Sequence, residues 1–291
     1  MAEDLTWDSI DTEQRYGPYK YPLADRIGRY LEGIDNNHPW HRGRSPWGPP
    51  VAPPTVLAAA SLRFIDTIAP VPPGTLHARQ ELDIAAALRL DRRPIGYGQF
   101  VEKYERRGRR WFVFEIRWRD ETGLILGRTR TTMAFPDKVE TSDAPASAPA
   151  TETEPAGPEL PSISRTLTQE RMTAYTEDSA NSRRGKSIHT DPDVAKVAGF
   201  PTTVAQGMMA ADYISEMMTN AFGKEWFEYA SLSLSFLKPM LCGDTITARA
   251  HLSSETLEGA VVRKVYAVWA ENQDGAKVAA GTAASLVMPG R

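Results

Sequence analysis

The stretch S-I-H-T-D-P-D-V-A-K-V-A-G-F-P-T-T-V-A-Q-G-M-M, Ser187 to Met209, sets one histidine on a loop, then a short helix, then a glycine that opens a long apolar helix. The start of a helix presents backbone N–H groups that no carbonyl of the helix can take. A histidine placed before it can therefore face a bound molecule together with those donors. Downstream, Ala210, Ile214, Met217, Met218 and Ala221 recur at the spacing of a core-facing helix, which Gly223 ends. Leu232, Leu234 and Phe236 then alternate with Ser231, Ser233 and Ser235, the pattern of a half-buried strand. Further strands are predicted over 245–252, 261–270 and 278–288, the last two joined by Asn272-Gln273-Asp274-Gly275.

The first half repeats this order. A helix is predicted over about 55–65, with strands near 76–90, 98–106, 110–119 and 124–135 around the turn Asp120-Glu121-Thr122-Gly123. Phe112, Phe114, Ile116 and Trp118 share one face of the third strand. Pro53-Pro54-Thr55-Val56 and Pro201-Thr202-Thr203-Val204 correspond at an offset of 148 (203 − 55), as do His41 and His189. Tyr30 and Tyr175 correspond at 145 (175 − 30). Each half thus reads as one long helix covered by an antiparallel sheet, and two such halves make a pseudo-dimer in one chain. Between them, 137–161 is rich in Pro, Ala, Thr and Glu and poor in large apolar residues, so it reads as a linker. The expected division is 1–136, the linker 137–161, and 162–291.

A chain of 291 residues with 41% hydrophobic and 24% charged residues fits an ordinary globular protein. A net charge of -3 gives no broad basic field to attract nucleic acid. No apolar run is long enough to span a membrane, and the acidic start M-A-E-D-L-T-W-D lacks the features of a secretory signal. Cys242 is the one cysteine, so no intrachain disulfide can form, and a cytoplasmic setting is expected. In its turn, Leu241-Cys242-Gly243-Asp244, it reads as a packing residue and not a nucleophile. No His/Cys spacing suggests a metal site, and Gly96-Tyr97-Gly98 lacks the third glycine of a dinucleotide fingerprint.

From about Tyr16 to Pro289, across both halves, the chain resembles the MaoC-like hydratase/dehydratase family in its double hot-dog form, an α+β fold. The family's signature is a Tyr, then Ser-Gly-Asp-x-Asn-Pro-Ile-His, then Ala-His-Gly-Met after a Gly-Phe-Pro turn. Here these positions read Tyr175, Ser179-Ala180-Asn181, Ile188-His189-Thr190-Asp191-Pro192, Gly199-Phe200-Pro201 and Ala205-Gln206-Gly207-Met208. The resemblance implies hydration of an α,β-unsaturated acyl thioester, or the reverse dehydration. It needs no cofactor beyond the coenzyme A or carrier that forms part of the substrate.

It also implies roles. His189 becomes the general base, since an imidazole exchanges protons near neutrality. Gly207, with Gln206 beside it, becomes the place where a backbone N–H polarises the thioester carbonyl. The family's acid, an Asp, is replaced by Asn181 when the loop carries three extra residues, and Asn36 falls in the same slot of the first half. An amide cannot supply a proton at neutral pH, which leaves Asp178 or Asp191 to serve, or His189 to make both transfers. Asp191 equally reads as the cap of the helix that Pro192 starts. Arg183, Arg184 and Lys186 can grip a phosphate or carboxylate, or simply face water. His41, with Ala59 at the position matched to Gly207, reads as a vestige in a half that shapes the acyl pocket. Two other classes remain open: a thioester-binding or partner subunit without turnover, and a hot-dog thioesterase. A homodimer of such units is a further expectation.

Overall fold

The computed structural model describes residues 3–138, 157–178 and 185–288. The first half runs β1 (Arg15–Lys20), α1 (Leu23–Ile34), α2 (Pro39–Arg42), α3 (Val56–Ile68), β2 (Leu76–Ile84), β3 (Pro94–Arg106), β4 (Arg109–Asp120) and β5 (Ile125–Lys138). The second runs β6 (Ile163–Thr166), α4 (Gln169–Asp178), α5 (Pro192–Val197), α6 (Met208–Phe222), β7 (Ala230–Phe236), β8 (Thr245–Glu258), β9 (Val261–Glu271) and β10 (Lys277–Val287). The strands form one sheet in the order β1-β3-β4-β5-β2-β7-β10-β9-β8-β6. That order is a palindrome of roles, with the antiparallel β2–β7 ladder at its centre, where Leu82 faces Leu232. Each half wraps its long helix, α3 or α6, in its own five strands. This is the double hot-dog arrangement.

Alternating side chains decide which face of the sheet turns inward. Phe112, Phe114, Ile116 and Trp118 of β4 are buried, as are Leu232 and Leu234 of β7 and Ile246, Ala248 and Ala250 of β8. The two hairpin turns are copies in chemistry. Asp120 Oδ1 accepts from the N–H groups of Thr122 and Leu124, and Asn272 Oδ1 accepts from those of Asp274 and Ala276. Even a strand glycine recurs for one reason: a Cβ on Gly127 would meet the Asp83 carbonyl oxygen at 2.1 Å, and one on Gly281 would meet that of Ser233 at 1.8 Å.

Three expectations change. The strand predicted to reach residue 90 ends at Ile84, because Ala85 and Ala86 turn their N–H groups to Leu126 O and the chain crosses to the start of α3. The linker is shorter at both ends: β5 runs through Lys138, and Leu160 already donates to Ala250 O, while 139–156 lie outside the described residues. Finally, α6 is buried from Met208 to Thr219 on every side, polar residues included, while Ala221 is exposed. The sheet covers one side of α6, and α1 and β6 pack on it as well. A one-sided stripe therefore understates its burial.

The duplication is real but its register shifts. Val51 N donates to Trp40 O and Val204 N to Ile188 O, both at 2.9 Å, so the loops before His41 and His189 match at an offset of 148 (189 − 41). Past them, Val56 N donates to Pro53 O and Met209 N to Gln206 O, an offset of 153 (209 − 56). The second half has inserted five residues between histidine and helix, in the stretch that carries α5. The apparent match of Pro53 to Val56 with Pro201 to Val204 is thus not structural. The partner of Gly207 is Pro54, not Ala59.

Candidate active site

His189 sits on the loop between α4 and α5, and several hydrogen bonds fix it. Its own N–H donates to Ser187 Oγ at 3.2 Å, and its carbonyl accepts from Gln169 Nε2 at 3.0 Å. Gln169 Oε1 takes the Thr203 hydroxyl at 2.6 Å, so one side chain of α4 ties the histidine loop to the segment leading into α6. The ring is held by its Nδ1, 2.7 Å from Val204 O. A carbonyl can only accept, so Nδ1 carries the proton in the neutral ring and Nε2 is the nitrogen left to take one. Burial pushes the imidazole below its ordinary pKa, and the Val204 carbonyl opposes that shift.

Three residues after Val204, Gly207 caps α6. Its φ of −54° is ordinary, so glycine is not required there for backbone freedom. Space requires it: a Cβ would lie 2.9 Å from the Phe236 ring. Gln206 is buried and donates to Thr176 Oγ1 at 3.2 Å, tying α6 to α4.

The charged candidates separate. Asp191 caps α5, accepting from Asp193 N at 2.9 Å and Val194 N at 3.3 Å, and its other oxygen lies 2.7 Å from Lys186 Nζ. The lysine and the two amides hold its carboxyl below the usual range. Asp191 and Lys186 therefore neutralise each other at the edge of the site, and Lys186 is mostly exposed. Asp178 closes α4, but its side chain, together with Asn181, Arg183 and Arg184, lies outside the described residues. Among the described residues no three metal-ligating side chains gather.

The matching place in the first half is built differently. His41 Nδ1 also lies 2.7 Å from a carbonyl, Val51 O, but the ring is buried and pushed down to about 4, chiefly by desolvation. His38 packs on it at 5.5 Å and Phe227 at 6.3 Å, while Trp40 and Trp47 close around Phe227. Trp47 Nε1 is fixed to Glu228 at 2.7 Å. Where the second half has Gln206-Gly207, this half has Pro53-Pro54, and proline has no N–H to donate. The histidine persists while the donor is gone and aromatic rings fill the space.

Sequence reasoning missed one buried cluster. Asp212 of α6 is buried between the halves, with Tyr30 Oη donating to it at 2.5 Å and Thr55 and Tyr175 also bonding to it. Desolvation raises its carboxyl to about 7, against those hydrogen bonds. The rings of Tyr30 and Tyr175, the pair matched at 145, lie 5.3 Å apart. An aspartate on an apolar helix was the available signal.

Comparison with known proteins agrees with this architecture. Residues 151–272 match the model of the MaoC like domain. An (R)-specific enoyl-CoA hydratase of Rhodospirillum rubrum is 35% identical over 60 residues, which cover 21% of this chain and 42% of that relative. The match thus spans less than half the length of the curated relative. A MaoC-like dehydratase from Phytophthora capsici superposes with a TM-score of 0.71 at 16% identity, covering 98% of this chain and 99% of the other. A Mycobacterium tuberculosis protein described as having a double hot-dog fold does so with a TM-score of 0.62 at 13% identity, covering 98% of each chain. At these identities the two structures speak for the fold.

Proposed function

We propose that this chain, whose second half carries a MaoC-like domain, adds water to an α,β-unsaturated acyl thioester or removes it from the 3-hydroxy form. The observation that carries the reading is the bond between His189 Nδ1 and Val204 O. It commits the ring to the tautomer whose Nε2 is basic, and the carbonyl that does so lies three residues before Gly207, the cap of α6. In the hydration direction, Nε2 takes a proton from water as the oxygen bonds to the β-carbon. The N–H groups at the start of α6 stabilise the enolate oxygen that develops. An acid then returns a proton to the α-carbon. We assign that acid to Asp178, since Asp191 is engaged by Lys186 and by its cap.

Purified protein should consume the double bond of a short enoyl-coenzyme A. His189→Ala should cost at least about a hundredfold in kcat with an unchanged circular dichroism spectrum. Asp178→Asn should be comparably damaging and Asp191→Asn mild. Full activity in His189→Ala would end the assignment. The commitment of Asp191 to its cap also favours a second reading, a thioester-binding chain without turnover. Tight binding with no consumption over a broad acyl panel would select it.

A further inference from the structure

His77 stands on β2 of the first half, at a break in the β2–β5 register. Its ring lies 4.8 Å from that of Phe236, and Phe236 in turn packs against Gly207, 2.9 Å from where a Cβ would sit. One aromatic ring therefore separates His77 from the start of α6. The Nε2 of His77 is buried with no hydrogen-bond partner among the described residues. Burial pushes the imidazole down to about 4, and hydrogen bonds to the Gln80 side chain and the Arg79 backbone oppose that shift. The ring is uncharged at neutral pH. A neutral imidazole carries one N–H and one lone pair, and no hydrogen bond among the described residues reaches Nε2.

The duplication shows what an apolar choice would look like here. The first half lends His77 to the helix start of the second. In return, the second half lends Phe227 to the neighbourhood of His41. The two are related by 150 (227 − 77), the offset between Asp83 and Ser233 (233 − 83), whose carbonyls crowd the matched glycines Gly127 and Gly281. Phenylalanine completes a dry cluster in the closed copy. Histidine occupies the corresponding place beside the candidate site, where a buried acceptor without a donor is costly. A bound molecule can supply that donor.

We propose that His77 Nε2 accepts a hydrogen bond from an amide N–H of the pantetheine arm of a thioester held at the start of α6, an inference that rests on the function proposed above. An enoyl chain carries no donor, and the hydroxyl of the 3-hydroxy form is the group assigned to His189. The pantetheine amides are the donors nearest the sulfur in every coenzyme A or carrier-protein thioester. Leu76 and Leu237 are 46% and 53% exposed, which puts the ends of β2 and β7 that carry His77 and Phe236 at the surface of the sheet.

Calorimetric titration of coenzyme A and of a holo acyl carrier protein into wild type, His77→Phe and His77→Gln tests this without any turnover. Whichever probe binds wild type should bind His77→Phe about tenfold more weakly, the loss of one hydrogen bond. His77→Gln, which keeps an acceptor, should recover most of that. The tighter probe identifies the source of the arm. On an enoyl-coenzyme A, His77→Phe should raise KM and leave kcat near wild type. Equal affinity in wild type and His77→Phe, failure of both probes to bind wild type, or a loss confined to kcat would overturn the proposal. Absence of turnover in wild type with the affinity difference intact would sink the hydratase reading and leave this one standing.

Discussion

At the residue scale, one hydrogen bond does most to define His189. The Val204 carbonyl selects the tautomer, and desolvation keeps the ring neutral to lower pH than a free imidazole. A base must be unprotonated to act, so activity is full above the folded pKa and falls as pH drops through it. That pKa is shifted downward, which predicts that the acid limb of kcat/KM lies below the ordinary value of 6.5. A pH–rate profile with its acid limb above 6.5 would contradict this. Of the candidates read from sequence, His189 and Gly207 stood out because each belongs to a motif of fixed spacing. Asp191 could be read two ways, as a cap or as an acid, because the same residue type serves both roles. Only its contacts with Asp193 N, Val194 N and Lys186 show how it is bound. Gln169 and His77 belong to no local pattern. Their roles depend on strands and helices brought together from distant parts of the chain, which periodicity does not encode.

At the scale of elements, α4 works as a brace. Through Gln169 it holds both the His189 carbonyl and the Thr203 hydroxyl, and through Thr176 it holds Gln206. Loss of the amide should let the histidine loop drift while the ring remains chemically intact. Gln169→Ala is therefore expected to lower kcat by roughly ten- to a hundredfold, the scale for a misplaced catalytic group, with little change in KM. A kcat equal to wild type would show that the loop does not need the brace. The strands were legible because short runs of alternation are a strong signal, as in β7 and the first part of β8, whereas the exposed end of β8 from Ser253 to Glu258 carries no such pattern. The element boundaries were less so. What ends β2 is a pair of bonds to Leu126, a residue far along the chain. The shift from 148 to 153 arose for the same reason. A proline, a threonine and a valine happened to align by composition, while the hydrogen bonds around Val51 and Val204 follow the backbone.

At the scale of the whole molecule, two similar halves have come to differ in use. The first keeps a histidine bonded to a carbonyl but replaces Gln206-Gly207 with Pro53-Pro54 and fills the space with Trp40, Trp47 and Phe227. The junction between the halves is held by the β2–β7 ladder and by Asp212, which gathers Tyr30, Thr55 and Tyr175 from the helices around it. Its carboxyl is raised from 3.8 to about 7, so the folded protein holds a proton there that the unfolded chain releases. Stability from this group is full below about pH 4 and is lost as pH rises toward about 7, by up to roughly 1.4 kcal/mol per pH unit. Asp212→Asn removes the titration. Urea midpoints for the variant should therefore decline less than those of wild type between pH 4 and pH 7. Parallel declines would place the proton elsewhere.

In the proposed reaction, His189 Nε2 and the start of α6 meet on one thioester. A crystal structure with an unreactive enoyl-coenzyme A analogue tests it most directly. The thioester oxygen should lie within hydrogen-bonding distance of an N–H at the start of α6. The β-carbon should lie within one water of His189 Nε2, with Trp47 and Phe227 still packed beside His41. A thioester bound beside His41, or one at α6 with the His189 ring turned away from its acyl carbons, would contradict it.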